Sequence, residues 1–354
     1  LLTKLFANKL EHHYTFAVIS VALLGFGASG VYTQMRASSA NHAAQGSVLA
    51  KYALGFAIAM PLLVAAFLAC PLDPGFSGLR GVLALPVYFL MFAVLFFLSG
   101  VPVTMMLVSP GLHPARVYFW DMLGAAFGAA LGPLALSSIG LYYGILVSSF
   151  CAVSAAIILW FQSREKPKGI QLALGFGALA LSVASLVFTP RILQSRLHLD
   201  MVSFKAHMLK AEFLRSFGGA EQTYWNPIAR IDVSHTVESS EQSFRFGMPR
   251  STWHEPLRGR LILVDGGANS RQFVLDKHPS EVPILKSALW AFPYAIRPES
   301  ESTLLIGPGG GIDILVGKAF GVRRIDALEL NPDMVRLLSG RSEDPEREQY
   351  TRWL

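Results

Sequence analysis

The chain has 354 residues, of which 52% are hydrophobic and only 15% charged, with a formal net charge of +6. A charged fraction well under the roughly 25% of soluble domains excludes a wholly soluble protein and places part of the chain in a membrane. The positive balance comes without a basic stripe interleaved with aromatics, so it reads as membrane-flanking charge, and nucleic acid is not an expected partner.

In chain order, residues 1–13 carry Lys4, Lys9, Glu11, His12 and His13 and read as an interfacial lead-in. Six largely apolar runs follow, at 14–34, 48–70, 82–108, 117–138, 140–161 and 169–188, each with the roughly 20 residues a helix needs to cross the hydrocarbon core. Pro61, Pro86 and Pro102 stand as kinks or end signals. The fourth run carries Gly124, Gly128 and Gly132 at four-residue spacing, a smooth face on which another helix is expected to pack closely. Asp121, beside Trp120, reads as an interfacial acid favoured by a helix N-terminus, with a substrate or proton role as its alternative. Cys70 and Cys151 sit far apart in apolar stretches and are expected to be buried thiols, with no metal or disulfide framework.

From Thr189 the composition turns polar, which divides the chain into a membrane domain at 1–189, a linker helix with a small β domain at 190–300, and an α/β part from 301 to 354. Residues 191–217 have helical spacing, Tyr224 to Pro227 forms a turn, and 228–233 and 261–264 read as strands, the latter ending in the tight turn Asp265-Gly266-Gly267. Residues 283–295 are expected to form a helix. The pair His254-Glu255 reads as surface.

The most informative stretch is 303–331. Leu304-Leu305-Ile306 is a short apolar run of the kind found in buried parallel strands, and Gly307, Gly309 and Gly311 then let the backbone turn tightly against a ligand. A second strand covers 325–330, and Glu329 falls 22 residues after Gly307, the spacing at which a strand-end carboxylate reaches the ribose hydroxyls of a nucleoside. Ile312 occupies the place of the last glycine of the dinucleotide fingerprint, and no Lys-Ser/Thr follows as a phosphate loop requires. An S-adenosylmethionine-type ligand, which has no phosphate to cradle, suits the loop better than a dinucleotide or a triphosphate.

These residues together resemble the spermidine/spermine synthase (polyamine aminopropyltransferase) family, in the branch whose catalytic domain follows membrane spans. Trp225-Asn226-Pro227-Ile228-Ala229-Arg230-Ile231 is similar to its Trp-Ser-Pro-Tyr-Gln-Arg-Ile strand, Leu263-Val264-Asp265-Gly266 to its Leu-Leu-Asp-Gly turn, and Gly307 to Gly311 with Glu329 to its nucleoside loop and ribose acid. Tyr118 to Ala125 is similar to the Tyr-Phe-Ala-Asp-Leu-Leu-Gly-Ala of the membrane-fused branch. The resemblance implies a helical transmembrane bundle, a small β unit and a partial Rossmann-like α/β domain of the adenosylmethionine-dependent methyltransferase type. It also implies a nucleoside-binding set of Gly307, Gly309, Gly310, Gly311, Asp313, Glu329 and Asp265.

The sequence departs from the family at three places: Ala229 stands for a nucleoside-contacting Gln, Gly310 for the loop Asp, and no Tyr-His-Glu follows Asp265. The family's catalytic Asp belongs to a strand expected beyond Leu354, and since the chain opens with Leu1 instead of Met, both ends are expected to be cut; no catalytic residue is assigned. The expected function is aminopropyl transfer from decarboxylated S-adenosylmethionine to a polyamine or other amine, without a metal. Transfer from S-adenosylmethionine itself, including methyl transfer, and a transporter or scaffold with a regulatory nucleoside domain are the alternatives. The protein is expected to be multi-pass in the inner or plasma membrane and is a possible homo-oligomer. Lys and Arg are nearly balanced across the spans, so the cytoplasmic placing of the α/β part rests on where adenosylmethionine nucleosides are made.

Overall fold

The computed structural model describes residues 1–9, 16–37, 45–70, 78–163, 220–239, 257–265, 268–341 and 347–354, with isolated positions between 169 and 180 and at 247. The chain divides into two compact units, Leu1–His207 and Met208–Leu354.

The first unit is helical: α1 (Leu2–Lys9), α2 (Ala17–Ala37), α3 (Gln45–Ala69), α4 (Leu79–Leu107) and α5 (Pro114–Gln162). Among the described residues, α2 to α5 are each long and apolar enough to cross a membrane. The first three match the expected spans within a few residues. The fourth and fifth are joined in one helix of 49 residues, broken at Gly140, whose φ of 79° and ψ of 175° no helix accommodates. Unbroken, such a helix would run roughly 70 Å, more than twice the hydrocarbon thickness; the break at a residue without Cβ divides it into two lengths suited to one core each. The sixth expected span and the linker helix at 191–217 lie outside the described residues for the most part, as does His254-Glu255.

Pro61, Pro86 and Pro102 lie inside α3 and α4 and end neither helix. The lead-in is more than interfacial, because Leu5 and Phe6 of α1 are fully buried and the Phe6 ring stacks on Phe67 at 5.0 Å. Phe67 in turn meets Phe92 at 5.2 Å and Tyr88 at 4.7 Å, joining α1, α3 and α4 through one aromatic cluster. The second half of α5 packs Val153, Ala156 and Trp160 on Ala50, Leu54 and Ala57 of α3.

Among the described residues, the close helix crossing is not at the spaced glycines of α5. A Cβ at Gly124, Gly128 or Gly132 meets nothing within 4 Å among the described residues, and Phe127, Leu131 and Leu134 around them are exposed. The tight approach is between α2 and α4. A Cβ at Gly25 would stand 2.5 Å from Phe96 Cβ and 2.6 Å from the Ala93 carbonyl oxygen, and one at Gly100 would stand 2.8 Å from Phe26 Cδ1. The Thr33 and Thr104 hydroxyls share a hydrogen bond of 2.8 Å across the same seam. Asp121 lies two turns inside α5, whose first turn holds no acid, so the helix dipole does not account for it. Cys151 is exposed on α5 and Cys70 half-buried, against the expectation of two buried thiols.

The second unit has an antiparallel sheet of β1 (Ala220–Trp225), β2 (Arg230–Ser234), β3 (Val237–Ser239), β4 (Leu257–Val264) and β5 (Ala268–Phe273). β4 is central: β5 pairs along one edge, while β2 and β3 share the other and β1 extends the sheet beyond β2. The expected helix at 283–295 is instead three short turns, α6 (Pro283–Lys286), a 3-10 turn at Leu289–Ala291 and α7 (Phe292–Ile296). Ala288 is extended at ψ 157°, and Pro293 removes a helical N–H just beyond it.

Next come β6 (Ser302–Ile306), α8 (Ile312–Ala319), β7 (Arg324–Leu328), α9 (Pro332–Leu338) and α10 (Arg347–Thr351). β6 and β7 are parallel, with Ser302 opposite Arg324 and Ile306 opposite Leu328, so β6–α8–β7 is a βαβ unit. The inner face of α8, Ile312, Leu315, Val316 and Ala319, packs against Phe273 of β5 and against Leu285 and Tyr294 of the short turns. No residue of the strand pair is fully buried; Thr303, Leu305 and Ile325 are half-buried and the rest exposed. Leu304 and Leu328 are each 60% exposed, Ile306 83% and Leu330 80%, which departs from the fully buried parallel strand expected of the apolar run.

Candidate functional site

The turn after β6 and the end of β7 lie side by side, because the Gly307 amide donates to the Leu328 carbonyl at 2.8 Å. Glu329 follows Leu328 directly, so the glycine turn and the acid meet at the carboxyl ends of parallel strands, where open α/β sheets receive ligands. Glu329 is half-buried, and its Oε1 accepts from the Asn331 amide at 2.9 Å.

The glycines of the turn serve different neighbours. Gly307 has φ 68° and open space in the direction of its missing Cβ, so it is exposed on the side a ligand can approach. Gly309 also has positive φ, 55°, but a Cβ there would stand 2.6 Å from Ser270 Oγ of β5. At Gly310 a Cβ would overlap the Arg271 carbonyl group, and at Gly311 it would press on Leu338 and Leu354. Overlap with backbone thus suffices to require glycine at 310, and at 309 and 311 the positive φ of 55° and 89° favours it beside the side-chain contacts.

The amides of Gly310 and Gly311 are committed in the same way. Gly310 N donates to Ser270 Oγ at 2.6 Å and Gly311 N to the Pro308 carbonyl at 2.8 Å, while Pro308 has no N–H. Arg271, whose backbone underlies Gly310, has a buried guanidinium held down to about 10 by desolvation.

Asp265 belongs to the sheet. Its Oδ1 accepts from the Arg230 amide and its own amide donates to the Arg230 carbonyl, both at 2.8 Å, closing β2 on β4 from a backbone φ of 49°. Gly266 and Gly267 of the same turn lie outside the described residues. Asp313 is half-buried in the first turn of α8, and burial pushes its carboxyl above the ordinary value of 3.8. Because the folded pKa exceeds the unfolded one, stability falls as pH rises between the two and stays lower above them. Asp313→Asn is therefore expected to raise the melting temperature at pH 7 and to lose that advantage on the acid side of the carboxylate range. Thermal melts across pH check this; an equal shift at every pH would remove the burial argument.

Sequence reasoning passed over Ser270, for which no local signal exists. It also passed over the bonding of Asn226, although Asn331-Pro332 is a legible helix start: the Asn331 side chain accepts from Asp333 N at 3.0 Å and caps α9. Comparison of the chain with family models, with curated proteins and with solved structures finds no match.

Proposed function

We propose that the protein is a membrane-anchored, spermidine-synthase-like transferase that binds decarboxylated S-adenosylmethionine at the β6 turn, with Glu329 holding the ribose. On this reading β6–α8–β7 is the opening of a Rossmann-like domain on the cytoplasmic side, and α2 to α5 anchor it as a multi-pass bundle. The observation that carries the reading is the junction of Gly307 with Leu328 and Glu329 across the parallel pair.

Hydrogen bonding supports this ligand class over a phosphate ligand. A phosphate needs a nest of free amides, and here those of 307, 310 and 311 donate to protein oxygens, which leaves the nest incomplete. A thionucleoside asks only for a close backbone and a carboxylate for its sugar. In aminopropyl transfer an amine lone pair attacks the carbon beside the sulfonium, the C–S bond breaks with its electron pair going to sulfur, and the amine gives up a proton. The nucleoside clamp contributes by orienting that carbon.

One observation favours a different adenosylmethionine-dependent transfer as second reading. A Cβ at Gly310 would overlap the Arg271 carbonyl group, so the aspartate found there in aminopropyltransferases has no room in this turn. Calorimetric titration of the full chain in detergent with 5′-methylthioadenosine, S-adenosylmethionine, ATP and NAD tests both. Binding of the thionucleoside at least about tenfold tighter than ATP or NAD is expected; preference for a phosphate ligand would refute the proposal. Preference for S-adenosylmethionine over the thioether selects the second reading.

A further inference from the structure

We propose that Asn226, in the β1–β2 hairpin, is a positioning residue that sets Glu329 for its ligand through the head of α9; this rests on the nucleoside reading of the site. Asn226 is 3% exposed. Its Oδ1 accepts from the amides of Ile228 and Ala229 at 2.9 and 3.0 Å, which fixes which way the side-chain amide faces. Nδ2 therefore points at α9, donating to Asn331 Oδ1 at 2.8 Å and to Asp333 Oδ2 at 2.7 Å.

Both acceptors are buried and each is tied onward. Asn331 caps α9, and its own amide donates to Glu329 Oε1 at 2.9 Å. Asp333 Oδ1 accepts from Arg336 at 3.0 Å within the same helix. One side chain more than a hundred residues upstream thus joins the hairpin, the cap of α9 and the backbone bond that holds the Glu329 carboxylate. With Oε1 held by Asn331, the orientation of Oε2 toward the ligand is inherited from α9, and the place of α9 is inherited from Asn226. Removing Nδ2 leaves Asp333 Oδ2 buried without its donor, so the head of α9 has to shift to water.

The test uses the full chain in detergent micelles, with hydrogen exchange at the Asn331 and Asp333 amides and titration of 5′-methylthioadenosine in a double-mutant cycle. Asn226→Ala is expected to speed exchange at these amides about tenfold or more and to weaken binding about tenfold, and adding it to Glu329→Ala should weaken binding no further. Asn226→Ser, which keeps an oxygen for the hairpin amides but is too short to reach α9, should act alike and serves if the alanine variant does not fold. Unchanged exchange overturns the brace whether or not a ligand binds. Fully additive losses in the cycle reduce Asn226 to a stabilising residue and overturn the positioning role. A wild-type chain that fails to bind the thionucleoside refutes the nucleoside reading and with it the ligand half of this proposal, while exchange still decides the brace.

Discussion

Gly25→Leu is expected to unseat α2 from α4, with a fall in the melting temperature of the helical unit that Gly128→Leu does not cause. The space for a Cβ at Gly25 is bounded by the Ala93 carbonyl oxygen at 2.6 Å and the Phe97 nitrogen at 2.9 Å, both backbone atoms of α4 that cannot rotate away. Relief requires the two helices to separate, which breaks the Thr33–Thr104 hydrogen bond and opens the contact of Phe26 with Phe96, whose centroids lie 5.9 Å apart. Overpacking of this kind costs about 1–3 kcal/mol, and a clash with backbone belongs at the upper end. At Gly128 the added side chain meets nothing within 4 Å among the described residues, so the change should stay within about 0.5 kcal/mol. Thermal melts of the two variants in the same detergent decide it: equal losses would move the critical seam away from α2 and α4.

Glu329→Ala is expected to weaken 5′-methylthioadenosine by tenfold to several hundredfold. Charge-assisted hydrogen bonds to ribose hydroxyls contribute roughly 1.5–3 kcal/mol each, and 1.4 kcal/mol corresponds to one decade of affinity. Alanine also frees the Asn331 amide, which donates to Oε1 at 2.9 Å, so part of the loss would come from the head of α9. Glu329→Gln separates the two, since its amide oxygen still accepts from Asn331 while the charge is gone. The expected order is wild type tightest, glutamine intermediate and alanine weakest. Affinities equal to wild type in both variants would sink the assignment of Glu329 to the ribose.

Much of the second unit was legible because its signals are local. The strand, glycine turn and helix from Leu304 to Ala319, and the acid at the end of the next strand, follow from side-chain period and from backbone angles that favour glycine, and the junction at Gly307 and Leu328 agrees with them. The apolar helices α2 to α4 were equally legible, because length and hydropathy alone decide whether a helix suits a hydrocarbon core.

What a side chain touches is a different kind of information. Glycines at 124, 128 and 132 have the spacing of a packing face, yet Gly25 and Gly100, which pack at the α2–α4 seam, share no sequence pattern because they belong to different helices. The turn glycines read as space for a ligand, but Ser270, Arg271 and Leu354 fill that space at 309, 310 and 311 and leave only Gly307 open. Composition and period therefore determined that this chain has apolar helices and a βαβ turn beside an acid. Only the tertiary structure decided which glycines face protein, which amides of the turn bond to protein oxygens and what holds the acid, because those depend on residues brought together from distant parts of the chain.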